Sequence, residues 1–255
     1  MAKRKKKKRA YTYIKLFFAL TIVAALAWYF TSLIFKPNFV HYPAFGIDIP
    51  VNYKVHGIDV SKHQKNISWE DVKQMNVNNI KISFAFIKAT EGYGNVDEQF
   101  RRNWLFAKKQ AIARGAYHFF IAPKSGKLQA QNFIETVQLQ KGDLPPVLDI
   151  EQAYGAPIAV LQQHVADWLN AVEKEYGIKP IIYTNVDFYN RYLSGKFDDY
   201  PLWVAHYLVK DKPRIQRSWI FWQHNESGHV NGIGPYVDFN VFKGDSAAFE
   251  LLKIK

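Results

Sequence analysis

From residue 56 onward, short apolar runs alternate with longer stretches in which apolar side chains recur at helical spacing. Each run has the length and composition of a buried β-strand. The eight runs cover residues 57–61, 84–90, 115–120, 146–151, 180–185, 202–207, 219–224 and 237–242. Strands that alternate with helices are typical of a parallel sheet, and eight such strands favour a closed barrel over an open sheet.

The helical pattern is strong early in this region and weak at its end. One amphipathic stretch follows Pro157 and ends at Gly177, and proline and glycine favour these two ends of a helix. The last three strand candidates are joined by segments with a weak helical pattern. About 200 residues is also short against the ~250 residues of a full eightfold barrel. We therefore predict an α/β barrel whose final third is abbreviated.

A continuous apolar run precedes the barrel region. Residues 16–35 are twenty residues without a charge, flanked by Lys15 and Lys36. A helix of about 20 apolar residues spans the ~30 Å hydrocarbon core of a bilayer, so the run predicts one transmembrane helix. The alternative is a cleaved signal peptide, because Ala-Leu-Ala at 25–27 resembles a cleavage site. The anchor is favoured because the apolar run continues to Phe35.

The positive charge of the chain is concentrated at its N-terminus. The formal net charge is +12, and residues 1–15 carry eight Lys or Arg and no acid, which leaves 12 − 8 = +4 for the rest. A basic segment can bind nucleic acid or anionic lipid. Beside an apolar run, it is better explained as a topology signal that keeps the N-terminus cytoplasmic and contacts lipid. We predict a lipid bilayer as partner through residues 16–35, and no nucleic acid.

Residues 36–55 separate the apolar run from the first strand candidate. They contain three prolines and show no clear period, so we predict an extended tether. Gly-Ile-Asp at 46–48 repeats the start of the first strand motif, but Ile-Pro follows it, and we treat it as a chance match.

Several kinds of chemistry are excluded or disfavoured by composition. The chain has no cysteine, which excludes disulfides, Cys-ligated zinc and thiol catalysis. Four acids at a barrel mouth could hold Mg²⁺ or Mn²⁺, but the histidines lack metal-binding spacing. A glycine-rich phosphate loop and a G-x-S-x-G motif are also absent from the sequence. We predict no metal and no other cofactor.

Two carboxyl groups end one of the strand candidates. Asp149 and Glu151 follow the apolar Pro-Val-Leu, and residues i and i+2 of a strand point to the same face, roughly 7 Å apart. Active sites of parallel barrels lie at this end of the strands. Two adjacent buried acids raise each other's pKa, which suits acid catalysis of glycosidic cleavage. Asp59 and Asp238 lie in the first and last strand candidates, which are neighbours in a closed barrel, so the two acids could converge on the same mouth.

Aromatic and amide side chains lie near the same strand ends. Sugar rings pack their C–H faces on aromatic rings, and their hydroxyls need amide and carboxylate partners. The candidate substrate-binding residues are Tyr117, Tyr183, Asn185, Trp203, Tyr207, Gln223 and, with a less clear role, Glu91.

These motifs, in this order and at this spacing, resemble glycoside hydrolase family 25, the N-acetylmuramidase lysozymes. The match covers about residues 56–244 and includes every strand end. The motifs are GIDVSKHQ, FAFIKATEG, GAYHFF, PPVLDIE, IIYTN, LWVAHY, WQ and VDFNVF. The resemblance implies a modified TIM-like barrel of five βα units followed by three strands.

It also implies cleavage of the β-1,4 bond between N-acetylmuramic acid and N-acetylglucosamine in peptidoglycan. Glu151 matches the family's proton donor, Asp149 its partner acid, and Asp59 and Asp238 the remaining acids of the pocket. Substrate assistance through the 2-acetamido group is favoured over inversion. Lys62 and His63 stand where the family often carries other residues, at the rim of the pocket.

We therefore expect a monomeric, membrane-anchored peptidoglycan hydrolase. The expected segments are a basic cytoplasmic tail (1–15), a transmembrane anchor (16–35), a tether (36–55) and a catalytic domain (56–255). The expected location is the bacterial inner membrane, with a single pass and the catalytic domain in the periplasm or cell-wall space. The alternatives are a non-catalytic peptidoglycan-binding scaffold on the same barrel, or a hydrolase of another amino-sugar polymer such as chitin.

Overall fold

The computed structural model of the chain describes residues 14–29, 38–209 and 211–255. The chain divides into two compact units, Met1–Asn38 and Phe39–Lys255. In the first unit, residues 14–29 form helix α1, whose large apolar side chains are exposed. Among the described residues, no helix combines the length and the apolar character needed to cross a membrane. Part of the predicted anchor, residues 30–35, lies outside the described residues.

The second unit contains twelve strands and six of the helices that the structure describes. The strands are β1 (Phe39–Tyr42), β2 (Ile47–Pro50), β3 (Val55–Val60), β4 (Asn76–Val77), β5 (Ile80–Glu91), β6 (Asn95–Val96), β7 (Ala113–Phe119), β8 (Val147–Asp149), β9 (Ile181–Asn185), β10 (Leu202–Ala205), β11 (Phe221–Gly228) and β12 (Val237–Phe242). The helices are α2 (Trp69–Gln74), α3 (Phe100–Lys109), α4 (Gly126–Thr136), α5 (Ile158–Tyr176), α6 (Val186–Phe188) and α7 (Ser246–Leu252).

Eight of these strands close into a barrel. Their order is β3-β12-β11-β10-β9-β8-β7-β5, and β5 pairs with β3 to close the ring. Strand β12 is antiparallel to both of its neighbours, and all other neighbouring pairs in the ring are parallel. All eight strand candidates of the sequence correspond to these strands, so the predicted closed barrel is confirmed, whereas the prediction of a parallel sheet is wrong for β12.

The first five barrel strands along the chain are each followed by a helix, whereas β10 and β11 are not. Helices α2 to α6 follow β3, β5, β7, β8 and β9, whereas the connections after β10 and β11 contain no helix among their described residues. Helix α5 begins after Pro157 and ends at Gly177, whose φ of 67° is the left-handed conformation that glycine adopts without strain. The predicted division into five βα units and three further strands is confirmed.

The lower part of the barrel interior, toward the amino ends of its parallel strands, is filled by aromatic side chains. Phe84 lies 5.0 Å from Phe221 and 5.5 Å from Phe249, measured between ring centroids, and Phe249 of α7 closes this end. Gly57 makes room for the Phe84 ring, because a Cβ there would lie 2.5 Å from it. Phe242 completes the layer, 5.2 Å from Phe221.

The predicted tether is wrong for residues 39–50. Strands β1 and β2 pair as an antiparallel hairpin that packs on the outside of the barrel. Phe45 is buried, and its ring centroid lies 5.3 Å from that of Phe239. The ring centroids of Phe39 and Trp222 lie 5.9 Å apart. Because no helix follows β10 or β11 in the described residues, the hairpin covers apolar side chains there that helices cover elsewhere. The Gly-Ile-Asp at 46–48 therefore belongs to a structural hairpin.

Candidate active site

A cleft of about 410 Å³ opens at the carboxyl ends of the barrel strands. Its position follows from alternation along each strand, because the residues that point inward are apolar at the lower end and polar at the upper end. Nine of the eleven predicted site residues line the cleft: Asp59, Tyr117, Asp149, Glu151, Tyr183, Trp203, Tyr207, Gln223 and Asp238.

Asp59 lies at the centre of a hydrogen-bond network at one side of the cleft. Its Oδ2 accepts from Gln223 Nε2 at 2.8 Å and from Asn240 Nδ2 at 2.7 Å. Trp203 Nε1 in turn donates to Asn240 Oδ1 at 2.8 Å, which fixes the direction of that amide. Burial raises the pKa of Asp59, and the bonds from Asn240 and Gln223 oppose this effect because they favour the charged form.

Asp238 faces Asp59 across the pair β12–β3, as the predicted neighbourhood of the first and last strands requires. Burial, and then the charge of Asp59, raise the pKa of Asp238 to about 9. At neutral pH, Asp238 therefore carries a proton and can donate it in a hydrogen bond to Asp59. This arrangement allows two carboxyl groups to share a buried space without two negative charges.

Asp149 and Glu151 lie on the opposite side of the barrel mouth, at and just after the end of β8. Asp149 is buried, and its Oδ1 has no hydrogen-bond partner among the described residues. Burial, and then the neighbouring Glu151, raise the pKa of Asp149 well above its ordinary value. Burial, followed by the charges of Asp59 and Glu226, raises the pKa of Glu151 to about 7. A carboxylic acid with this pKa can give up or accept a proton near neutrality.

Aromatic hydroxyls and an amide form one wall of the cleft. Gln223 Oε1 accepts from the hydroxyl of Tyr183 at 2.7 Å and also from the hydroxyl of Tyr207. Trp203 stacks on Phe86 with ring centroids 4.4 Å apart, which joins the polar end of the interior to the aromatic layer below it. Burial raises the pKa of Tyr117 and of Tyr183 well above the ordinary value, so both keep neutral hydroxyls.

Two predicted substrate-binding residues do not line the cleft. The side chain of Asn185 accepts from the backbone N–H of Phe188 at 2.9 Å and caps α6. Glu91 forms an ion pair with Lys88 at 2.7 Å. Lys88 itself lines the cleft, and its charge lowers the pKa of Asp149 against the larger effect of burial.

Lys88 and Glu226 belong to the cleft lining and were not predicted from the sequence, and neither was Asn240, which bonds to Asp59. Lys88 continues the inward alternation of Phe84 and Phe86, and Asn240 continues that of Asp238, so the period of two could have identified both. Glu226 also lines the cleft, but it lies in a segment of β11 where two irregularities shift the register with β12. Such a bulge redirects side chains, so simple alternation does not place Glu226.

Comparison with known proteins gives the class of the molecule. The model of glycosyl hydrolases family 25 matches residues 58–233. The chain belongs to this family, and it is a glycoside hydrolase.

The individual relatives agree with this assignment. The chain is 43% identical over 223 residues to the uncharacterized protein YegX of Escherichia coli O6:H1, covering 85% of this chain and 82% of that one. It is 35% identical over 212 residues to Lysozyme M1 of Streptomyces globisporus, with 76% and 69% covered. The solved structure of a family 25 glycosyl hydrolase from Bacillus anthracis superposes with a TM-score of 0.74 at 32% identity, covering 85% of this chain and 98% of that one.

Proposed function

We propose that this protein is an N-acetylmuramidase that hydrolyses the β-1,4 bond between N-acetylmuramic acid and N-acetylglucosamine in peptidoglycan. The observation that carries the proposal is the convergence of Asp59, Asp149, Glu151 and Asp238 on one cleft of a family 25 barrel. The lysozyme relatives support the same substrate class.

In this proposal Glu151 is the general acid. It donates its proton to the glycosidic oxygen as the bond from that oxygen to C1 of N-acetylmuramic acid breaks. The carbonyl oxygen of the sugar's own 2-acetamido group attacks C1 and forms a cyclic intermediate. Water then opens this intermediate, and Glu151 takes a proton from that water, so the acid is regenerated.

Asp149 has the role of orienting the 2-acetamido group. Its unpartnered buried Oδ1 supports this role, since an amide N–H of the substrate would satisfy it. Such a bond also favours the carboxylate form, which opposes the effect of burial on the pKa of Asp149. Asp59 and Asp238 complete the polar floor, and Tyr117, Tyr183, Trp203, Tyr207 and Gln223 contact the sugars.

The proposed location is the bacterial inner membrane, where the chain acts as a monomer on peptidoglycan in the periplasm or cell-wall space. The apolar run over 16–35 and the eight basic residues before it support a single anchor with a cytoplasmic N-terminus. Fractionation of cells that produce the full chain, followed by alkaline extraction of the membranes, tests this location. Release of the intact chain by alkali would contradict an anchor.

The test of the reaction compares the full chain with its Glu151→Gln variant on purified peptidoglycan. New reducing ends are identified by mass spectrometry after borohydride reduction. The unchanged chain is expected to produce N-acetylmuramic acid ends, and the variant to lose at least about 10²-fold in rate, the scale of general acid catalysis. Glu70→Gln, at an exposed position in α2, is the matched control and should keep full activity.

Three other outcomes would contradict parts of the proposal. Retained activity in Glu151→Gln would remove Glu151 from the mechanism. N-acetylglucosamine ends, or cleavage of chitin alone, would change the substrate. Binding of the wall by both proteins without any new ends would instead indicate a non-catalytic scaffold.

A further inference from the structure

A second cavity, of about 520 Å³, lies on the outside of the barrel wall between the β1–β2 hairpin and the end of β11. We call it the hairpin groove. Six of its lining residues are His41, Asp48, Leu208, Val209, Asn225 and Ser227.

The hairpin wall of this groove is held firmly on the barrel. Phe45, Ile47 and Ile49 are buried in the same core as the outward side chains of β11 and β12. The backbone N–H of His229 donates to the carbonyl of Phe45 at 2.8 Å, just beyond the end of β11. The hairpin precedes residue 58, where the family match begins, so this wall is an addition to the matched part of the barrel.

The groove and the active-site cleft share one rim. Tyr207 and Glu226 line the cleft, whereas their chain neighbours Leu208, Asn225 and Ser227 line the groove. The segments 207–208 and 225–227 therefore separate the two cavities, and each segment lines the cleft with one residue and the groove with the residue or residues beside it. Leu208 is fully exposed at this rim with a φ of 55°, a conformation that is uncommon for leucine. A ligand that enters the cleft and branches can reach the groove by crossing this rim.

The lining of the groove combines a carboxylate and an imidazole with small apolar surfaces. His41 Nδ1 and Asp48 Oδ1 lie 2.8 Å apart across the hairpin, and both side chains are more than half exposed. Asn225 and Ser227 add polar groups opposite this pair, while Val209 adds apolar surface. A short peptide that carries carboxylate and amine groups beside methyl side chains matches this combination.

We propose that the hairpin groove binds the stem peptide of the muramic acid whose glycosidic bond lies in the cleft. This inference rests on the proposed function, because the muramic acid of peptidoglycan carries such a peptide on its lactyl group. An extended peptide of four or five residues spans at most about 13–18 Å, which is several times the ~4.8 Å spacing of neighbouring strands. The peptide can therefore cross the rim and still place residues in the groove.

The test compares two substrates with the same glycan chain, one with its stem peptides and one from which an amidase has removed them. The full chain is compared with Ser227→Trp, which fills the groove at an exposed position, and with Asp48→Asn, which removes one charge. Asp187→Asn is the matched control, because Asp187 lines neither cavity and forms an exposed ion pair with Arg191 at 3.0 Å.

The expected result is a selective change in KM. For the peptide-bearing substrate, KM should rise about tenfold in Ser227→Trp and about two- to fivefold in Asp48→Asn, the scale of an exposed charge contact. KM for the bare glycan and kcat for both substrates should stay within about twofold, as should every value in Asp187→Asn. Equal changes on both substrates, or no change in either variant, would overturn the proposal.

A binding measurement separates this proposal from the proposed function. Calorimetric titration of free stem tetrapeptide into the Glu151→Gln protein needs no turnover. Binding that Ser227→Trp abolishes would support the groove even if neither glycan were cleaved, and that lack of cleavage would count against the muramidase reaction alone. Cleavage of both glycans with the same KM, together with no tetrapeptide binding, would reject the groove and leave the reaction intact.

Discussion

The same strands form both ends of the barrel interior, but the side chains that they direct inward differ between the two ends. At the lower end, Phe84, Phe221, Phe242 and Phe249 pack ring against ring. At the upper end, the same alternation places Asp59 and Asp149 in a similarly buried position and Asp238 in a half-buried one.

In this barrel, the side chains that stabilise the fold and the side chains that are proposed to act in the reaction lie at opposite ends of the interior. Burial of an aromatic ring stabilises the fold, whereas burial of a carboxyl group raises its pKa and favours unfolding. We expect changes at the lower end to alter the free energy of unfolding without altering the reaction. Changes to the acids at the upper end should reduce activity, and removal of a buried carboxyl group there should raise the free energy of unfolding.

The largest expected effect on stability is at the lower end. Phe84→Ala removes a fully buried ring from the middle of the layer and should lower the free energy of unfolding by about 3–5 kcal/mol. Urea denaturation followed by tryptophan fluorescence measures this change. At a temperature where the variant is folded, kcat should stay within about twofold of the unchanged protein. Phe106→Ala, at an exposed position in α3, should cost less than about 1 kcal/mol. A large loss of kcat in folded Phe84→Ala would contradict the separation.

The second prediction is that replacement of Asp238 raises the free energy of unfolding, whereas replacement of Phe84 lowers it. Its pKa rises from an ordinary 3.8 to about 9 on folding. Below about pH 4 the folded and unfolded chains both hold this proton, and the group has no effect on stability. Between pH 4 and 9 only the unfolded chain loses the proton, so folding is opposed increasingly as the pH rises.

Asp238→Asn should therefore stabilise the fold by about 1–3 kcal/mol at pH 8, and by less at pH 5. The asparagine N–H can still donate to Asp59, so the hydrogen bond between the two strands is kept. Urea denaturation at both pH values measures the gain, and Asp187→Asn should show no such difference. Activity should fall, as expected where a destabilising group serves function. A variant that is destabilised equally at both pH values would show that the Asp238 proton does not oppose folding.

The sequence predicts the ring of strands and much of the cleft because both depend on a period of two. Each strand has an apolar run, and Asp59 and Asp149 are polar residues near the ends of theirs, so both could be assigned to one mouth. Asp238 lies near the start of β12 and reaches the same mouth because β12 is antiparallel to its neighbours. The hairpin could not be predicted in this way. Its two strands have four residues each, and the side chains that bury them belong to strands about 180 residues later in the chain.

Local hydrogen bonding explains the other differences in the site. Asn185 has the inward register of Tyr183, but its side chain bonds to the backbone at the start of α6 and so does not line the cleft. Glu91 is paired with Lys88 at the end of a long strand. Both outcomes depend on which donor lies within reach in the folded chain, and the alternation of polar and apolar residues contains no such information.

The smallest expected effect concerns Glu226, which lies at the edge of the upper end. Glu151 must hold its proton to act as an acid, and its pKa is about 7. The value of kcat/KM should therefore be constant below about pH 7 and fall about tenfold per unit above it. Glu226→Gln removes one negative charge that favours the protonated form, so the break in this profile should move to lower pH.

The shift in the Glu226→Gln profile should be small. Burial is the largest cause of the raised pKa of Glu151, and Asp59 contributes before Glu226 does, so most of the difference from the ordinary 4.5 should remain. The plateau of kcat/KM at low pH should be unchanged, because Glu151 is fully protonated there in both proteins. Glu70→Gln, at an exposed position outside the cleft lining, should leave both the plateau and the break where they are. An unmoved break in Glu226→Gln would show that solvent at the cleft mouth screens this charge, and that burial together with the other carboxyl groups sets the pKa of the acid.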